Sequence, residues 1–184
     1  MVKIWKSDTS FEEFYTRARV INVKDIPHML MHGMSLKGSF PKLSLVIESD
    51  ATPADFFYSG AVYFIVSEPL KELLETHANA NIEFYELELR QRGKIYKEKR
   101  FYFANIMNQV DCFDRKNGKY APQGDLINDI ERLAIDETMV GASNLFRVEK
   151  VMYLIVAVKE SLAARVLAGG FTGVRFIEPC EWII

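Results

Sequence analysis

One pattern occurs twice in this chain, and it constrains the architecture more than any other feature. Tyr63-Phe64-Ile65-Val66 runs into Ser67-Glu68-Pro69-Leu70-Lys71-Glu72-Leu73-Leu74 and then Ile82-Glu83-Phe84. Towards the other end, Tyr153-Leu154-Ile155-Val156 runs into Val158-Lys159-Glu160-Ser161-Leu162 and then Val174-Arg175-Phe176. Each reads as a buried strand, a short amphipathic helix and a return strand, since a continuous apolar run gives way to apolar residues three and four apart. In the first copy Leu70, Leu73, Leu74 and His77 share a helical face, and Pro69 sits in the first turn, where a missing N–H is tolerated. In the second, Val158, Leu162 and Val166 recur at four-residue spacing, and Gly169-Gly170 ends the helix. Two similar strand-helix-strand units predict an α+β fold, a mixed, mainly antiparallel sheet with short helices packed on it. A solenoid needs at least three stacked units and is excluded.

The rest of the chain supplies further elements. Ser10 and Glu13 have capping-box spacing and predict a helix over Thr9–Tyr15, with Phe11, Phe14 and Tyr15 on its apolar face. Pro27, Gly33 and Gly38 make Val20 to Phe40 mostly loop. Leu43 to Glu48 reads as a strand ended by a turn within Asp50–Asp55. Tyr85, Leu87 and Leu89 alternate with Glu86, Glu88 and Arg90, a half-buried strand that Gly93 turns towards Phe101-Tyr102-Phe103. Asn117-Gly118 marks a tight turn. Asp125 to Glu137 fits strand and helix equally. Leu145–Val148 and Val151–Val156 read as paired strands around Glu149-Lys150.

At 184 residues the chain is long enough to bury a core without staples. Its formal charge of −2 demands no polyanionic partner. Cys112 and Cys180 lack C-x-x-C spacing and give neither a disulfide framework nor a zinc site. The opening residues show no signal-peptide pattern, and the uncharged stretch from Phe56 to Val66 is far short of a membrane span. A cytoplasmic protein with no membrane association and no cofactor is the expectation.

Four groups of residues carry possible chemistry. His28 and His32, four apart, would share a helix face as metal ligands, but a site needs a third and fourth ligand, and although Asp25 is nearby, Pro27 and Gly33 argue against the helix. Asp111-Cys112-Phe113-Asp114 places carboxylates around a thiol with no neighbouring His to activate it, so turn chemistry at Asp114 explains the block better. Arg90, Arg92, Lys94, Lys97, Lys99 and Arg100 stand against one anion, Glu98. Beside Tyr96, Phe101 and Tyr102 they could hold nucleic acid through phosphate contacts and stacking. Asp125, Asp129, Glu131, Asp136 and Glu137 stand against one cation, Arg132, and could cover the basic groove of a nucleic-acid enzyme, since complementary charge steers association. Either run alone is more simply a solvated face. No Gly-rich phosphate loop, G-x-S-x-G or H-E-x-x-H motif is present, which counts against an enzyme at one of these familiar sites.

Two segments resemble a known family. Arg100 to Arg115, an aromatic strand, Asn105 with apolar residues after it and then Asp111-x-x-Asp114, is similar to the middle block of the eleventh-numbered immunity family of bacterial polymorphic toxin systems, formerly a domain of unknown function. Leu145-Phe146-Arg147-Val148, with the strand, helix and Thr172-Gly173-Val174-Arg175-Phe176 that follow, resembles its C-terminal block. The likeness covers about Val46 to Glu178, giving an immunity-like domain over 46–184 and an N-terminal segment over 1–45 that belongs to the same domain or precedes it. It implies an α+β protein that neutralises a cognate toxin by binding it, with no catalytic residues to carry over. Asp111, Asp114, Phe146, Gly173 and Phe176 are then fold-defining. Arg147, charged within an apolar strand, requires a carboxylate partner, Asp111 or Asp114, or a place at the partner interface.

Overall fold

The computed structural model describes residues 1–9, 16–22, 33–38, 40–60 and 63–183. In chain order the strands are β1 (Val2–Ser7), β2 (Ala18–Val20), β3 (Ser44–Ile47), β4 (Phe56–Ser59) and β5 (Tyr63–Ser67). Helix α1 (Glu68–His77) precedes β6 (Ile82–Gln91), β7 (Lys94–Ile95), β8 (Phe101–Ile106), β9 (Gln109–Val110), β10 (Lys119–Gln123) and β11 (Leu126–Arg132). Then come β12 (Leu145–Val148), β13 (Val156–Lys159), α2 (Glu160–Ala168) and β14 (Val174–Ile177). The helix expected over Thr9–Tyr15 lies almost wholly outside the described residues. No helix among them is long and apolar enough to cross a membrane.

The fold is α+β, but the expected single sheet is divided. One sheet runs β14-β1-β13-β12-β9, a second runs β2-β3-β6-β8-β5-β4 with β7 on the end of β6, and β10-β11 form a two-stranded sheet. The pairings are mixed: β3 lies parallel to β6 and β9 parallel to β12, while the other pairs are antiparallel. Helix α1 connects β5 to β6, which flank β8, and α2 connects β13 to β14, which flank β1. Residues near the N-terminus are therefore built into the five-stranded sheet.

Strand parity sorts the core into three layers, because alternate side chains point to opposite faces. Phe64 and Val66 of β5, Tyr102 and Ala104 of β8, Leu145 of β12 and Val156 and Val158 of β13 join Trp5 and both helices in a central layer. Trp5 meets Phe64 and Phe176 edge-on at 5.1 and 4.9 Å, favourable aromatic geometry. Tyr63, Ile65, Leu87, Leu89, Phe101 and Phe103 point the other way, into a layer covered by Leu36 and Leu43. Phe146, Val148 and Ala157 form the third with Cys112 and Phe113, with Ile127 and Ile130 of β11 and with Leu133 just after it.

β12 and β13 do pair, but not around a tight turn at Glu149-Lys150. The register matches Leu145 to Val158 and Arg147 to Val156, so β13 begins at Val156. The residues between reach out to β11, where Val151 bridges Ile127.

Candidate partner-binding surface

The β10–β11 hairpin carries most of the acidic run. Lys119 pairs with Arg132 and Ala121 with Asn128, so one residue of β10 faces three of β11 in a bulge. Asp129 sits in that bulge with φ +42, a conformation Asp tolerates better than most residues. Because of the extra residues, Ile127, Ile130 and Leu133 all face inward at three-residue spacing, which mimics a helical stripe and made the sequence ambiguous. The opposite side exposes Asp125, Leu126, Asp129 and Glu131.

The five acids separate into two groups. Asp125 and Asp129 form no ion pair with the described cations, and Glu131 pairs with Lys119 on the neighbouring strand. Asp136 caps a 3₁₀ turn by accepting from the backbone N–H and hydroxyl of Thr138. Glu137 accepts from the N–H of Val2 at 2.9 Å and faces the N-terminal ammonium at 3.7 Å. The acidic surface is thus centred on the hairpin.

The basic run is largely neutralised within the fold. Arg90 pairs with Glu88, Arg92 with Asp50, Lys99 with Asp55 and Arg100 with Glu68. Lys94 and Lys97 are left exposed, a poor match for a groove that tracks phosphates.

Asp111 holds Lys150 and Arg115, both near 2.8–2.9 Å, and those cations outweigh its partial burial to keep its carboxyl below the ordinary range. Asp114 accepts from the N–H groups of Lys116 and Asn117 in the turn before Gly118. Cys112 is fully buried and burial pushes its thiol up to about 12, so no thiolate forms at neutral pH.

Arg147 requires a correction. Neither Asp111 nor Asp114 is its partner, for both are occupied as described. It shares the parity of Leu145 and faces the central layer beside Tyr58, whereas the Cys112-Phe113 block packs with Phe146 and Val148 on the other face. At 6% exposure it is buried in the fold. Phe146 is fully buried and Phe176 half-buried against Trp5.

Two carboxylates with structural consequences escaped the sequence reading. Glu83, 6% exposed, accepts from Ser35, from the N–H of Leu36 and from Tyr85, fastening residues 35–36 to the sheet. Burial alone would raise its pKa, and these bonds outweigh it. Its signal was parity, since Glu83 lies two residues from Tyr85 on the buried face of β6. Asp55 is the second, holding Lys99 at 2.8 Å and the N–H and hydroxyl of Thr172 at 3.0 Å.

Among the described residues no group of three or more His, Cys, Asp or Glu could hold a metal ion. His28 and His32 lie outside them.

The exposed side of the hairpin, with Asp125 and Asp129 outside any ion pair to the described cations, is the candidate surface. Comparison with known families gives that surface a context. The model of the Immunity protein family (Imm11) matches residues 13–179, most of the chain. The chain belongs to this immunity protein family, and the match extends into the stretch before Val46 that the sequence motifs left unplaced. No curated protein matches it.

Proposed function

We propose that this chain is a cytoplasmic bacterial protein that binds and neutralises the cognate toxin of a polymorphic toxin system, with no reaction of its own. The observation that carries the proposal is the family match over residues 13–179. The contact is centred on Asp125, Asp129 and Glu131 around the exposed Leu126, with Asp136 and Glu137 at its margin. Such a surface suits a basic face on the toxin, where charge complementarity steers encounter and an apolar centre supplies affinity. The scaffold that presents it consists of two copies of one strand-helix-strand unit, each enclosing a single antiparallel strand.

The test is co-expression with the toxin domain encoded by the adjoining reading frame. Wild type is expected to protect cells and to bind the purified toxin domain. Asp125→Lys with Asp129→Lys should weaken binding about tenfold, mainly through slower association, and flatten its salt dependence. Failure of wild type to bind or protect refutes the immunity reading. Unchanged affinity in the double variant refutes the hairpin contact alone.

A further inference from the structure

A cleft of about 950 Å³ opens where β1 parts from the residues before β13. β1 pairs with β13 from Val2 to Ile4, but with β14 from Ile4 to Ser7, so its second half has β14 on one side and the cleft on the other. Lys6 and Arg175 are directly opposed across β1 and β14, and both line the cleft. Like charges at directly opposed positions destabilise a sheet. Nothing among the described residues cancels them, for neither cation forms an ion pair. The two carboxylates that also line the cleft are engaged elsewhere, Glu48 with Arg19 at 4.0 Å and Glu181 with the backbone N–H of Glu178. Lys6 instead donates to the carbonyl of Ile183 and lies 5.7 Å from the ring of Trp182. Burial, and then the charge of Arg175, hold its ammonium below the ordinary lysine pKa. Met152 and Ile183 at the mouth are 40% and 70% exposed. Met152 also donates its N–H to the carbonyl of Ile127, which joins the residue at the cleft mouth to the hairpin.

We propose that this cleft docks an acidic segment of the toxin, with a carboxylate seated between Lys6 and Arg175 and apolar side chains against Met152 and Ile183. The proposal rests on the immunity reading and adds a second, oppositely charged contact to it. An uncompensated cation pair beside exposed apolar groups is what an anionic, apolar-flanked ligand complements.

The test uses the intact chain and, as probe, the toxin domain encoded beside it. Lys6→Met with Arg175→Met removes the opposed charges. The free variant should melt higher than wild type while its Kd for the toxin rises at least about tenfold, opposite movements that a merely structural role does not produce. Lys6→Glu with Arg175→Glu keeps a like-charge pair and reverses its sign, so binding should fall with little change in melting. Both tryptophans of the chain, Trp5 and Trp182, line the cleft, so fluorotryptophan placed in this chain alone reports occupancy by ¹⁹F NMR. Unmoved fluorine signals and wild-type Kd in both variants overturn the cleft contact while toxin binding stands. A complex with residues 10–15 of this chain in the cleft overturns it too. Absence of binding by wild type overturns the immunity reading, and this inference with it.

Discussion

Gly173→Ala is expected to destabilise the chain by about 3 kcal/mol, the sum of a left-handed backbone without glycine and a forced backbone shift. Gly173 has φ +78, and a Cβ there would stand 2.2 Å from the carbonyl oxygen of Phe56 and 2.7 Å from the Cβ of Ala54. The oxygen belongs to the backbone of β4 and cannot rotate away. The close approach is held from both sides, since Phe56 donates its N–H to Thr172 and Asp8 donates to the carbonyl of Gly173. Gly170→Ala is the control, because Gly170 has φ +69 and a methyl added there would meet nothing within 4 Å. It should cost only about 1–2 kcal/mol. At roughly 2–4 °C per kcal/mol for a chain of this size, thermal melts should place the Gly173 variant about 10 °C below wild type and clearly below the control. Equal melting of the two variants would remove the steric argument and leave only the backbone conformation.

That glycine shows how far the sequence was legible. The family resemblance marked Gly173 as fold-defining, but its neighbour across the chain, Phe56, is remote in sequence, and only the fold brings them together. The elements read well in the continuous apolar runs of β5 and β8 and the alternation of β6. Helix α1 buries Leu70 and Leu74 of its expected face but exposes His77, and of the expected α2 stripe Leu162 and Val166 are buried on the helix while Val158 lies in β13. The reading failed where an insertion broke the period. The bulge at Asp129 gave β11 a three-residue apolar repeat, and strand became indistinguishable from helix. It also failed where proximity in a motif was taken for proximity in space. Asp111 and Asp114 follow the aromatic strand closely, yet Cys112 and Phe113 pack with Phe146 and Val148, so the alternation of β12 already sends Arg147 away from them. The same parity marks Glu83 as buried beside Leu87 and Leu89. Asp55 had no local signal at all, because its partners Lys99 and Thr172 come from other parts of the chain.

Asp55→Ala is expected to cost about 2–4 kcal/mol, since it strips a buried carboxylate from donors that then lose their acceptor. Asp55 is 8% exposed and stands immediately before β4. Its carboxylate takes the hydroxyl and N–H of Thr172 ahead of β14 and the ammonium of Lys99 ahead of β8, while its own N–H returns to the Thr172 hydroxyl at 3.0 Å. One residue therefore ties the seven-stranded path to the five-stranded sheet at the point where Gly173 needs both held close. Burial by itself would raise the Asp55 pKa, but the bonds from Lys99 and Thr172 outweigh it, and the folded value lies below the ordinary 3.8. A depressed carboxylate contributes stability that is complete above its unfolded pKa and is lost as pH falls through the folded one. Wild type should accordingly lose stability on acidification below about pH 4, and Asp55→Asn should show a shallower acid limb with a lower plateau at neutral pH. Lys99→Met separates the two sets of donors. Lys99 is partly exposed, so its removal should cost about 1 kcal/mol, leaving the larger share to the Thr172 bonds that join the sheets. Denaturant titrations of the three variants from neutral to acid pH decide it, and an Asp55→Ala chain as stable as wild type would show that the Asp55 bonds add nothing to what the apolar layer and the backbone bond from Phe56 to Thr172 provide.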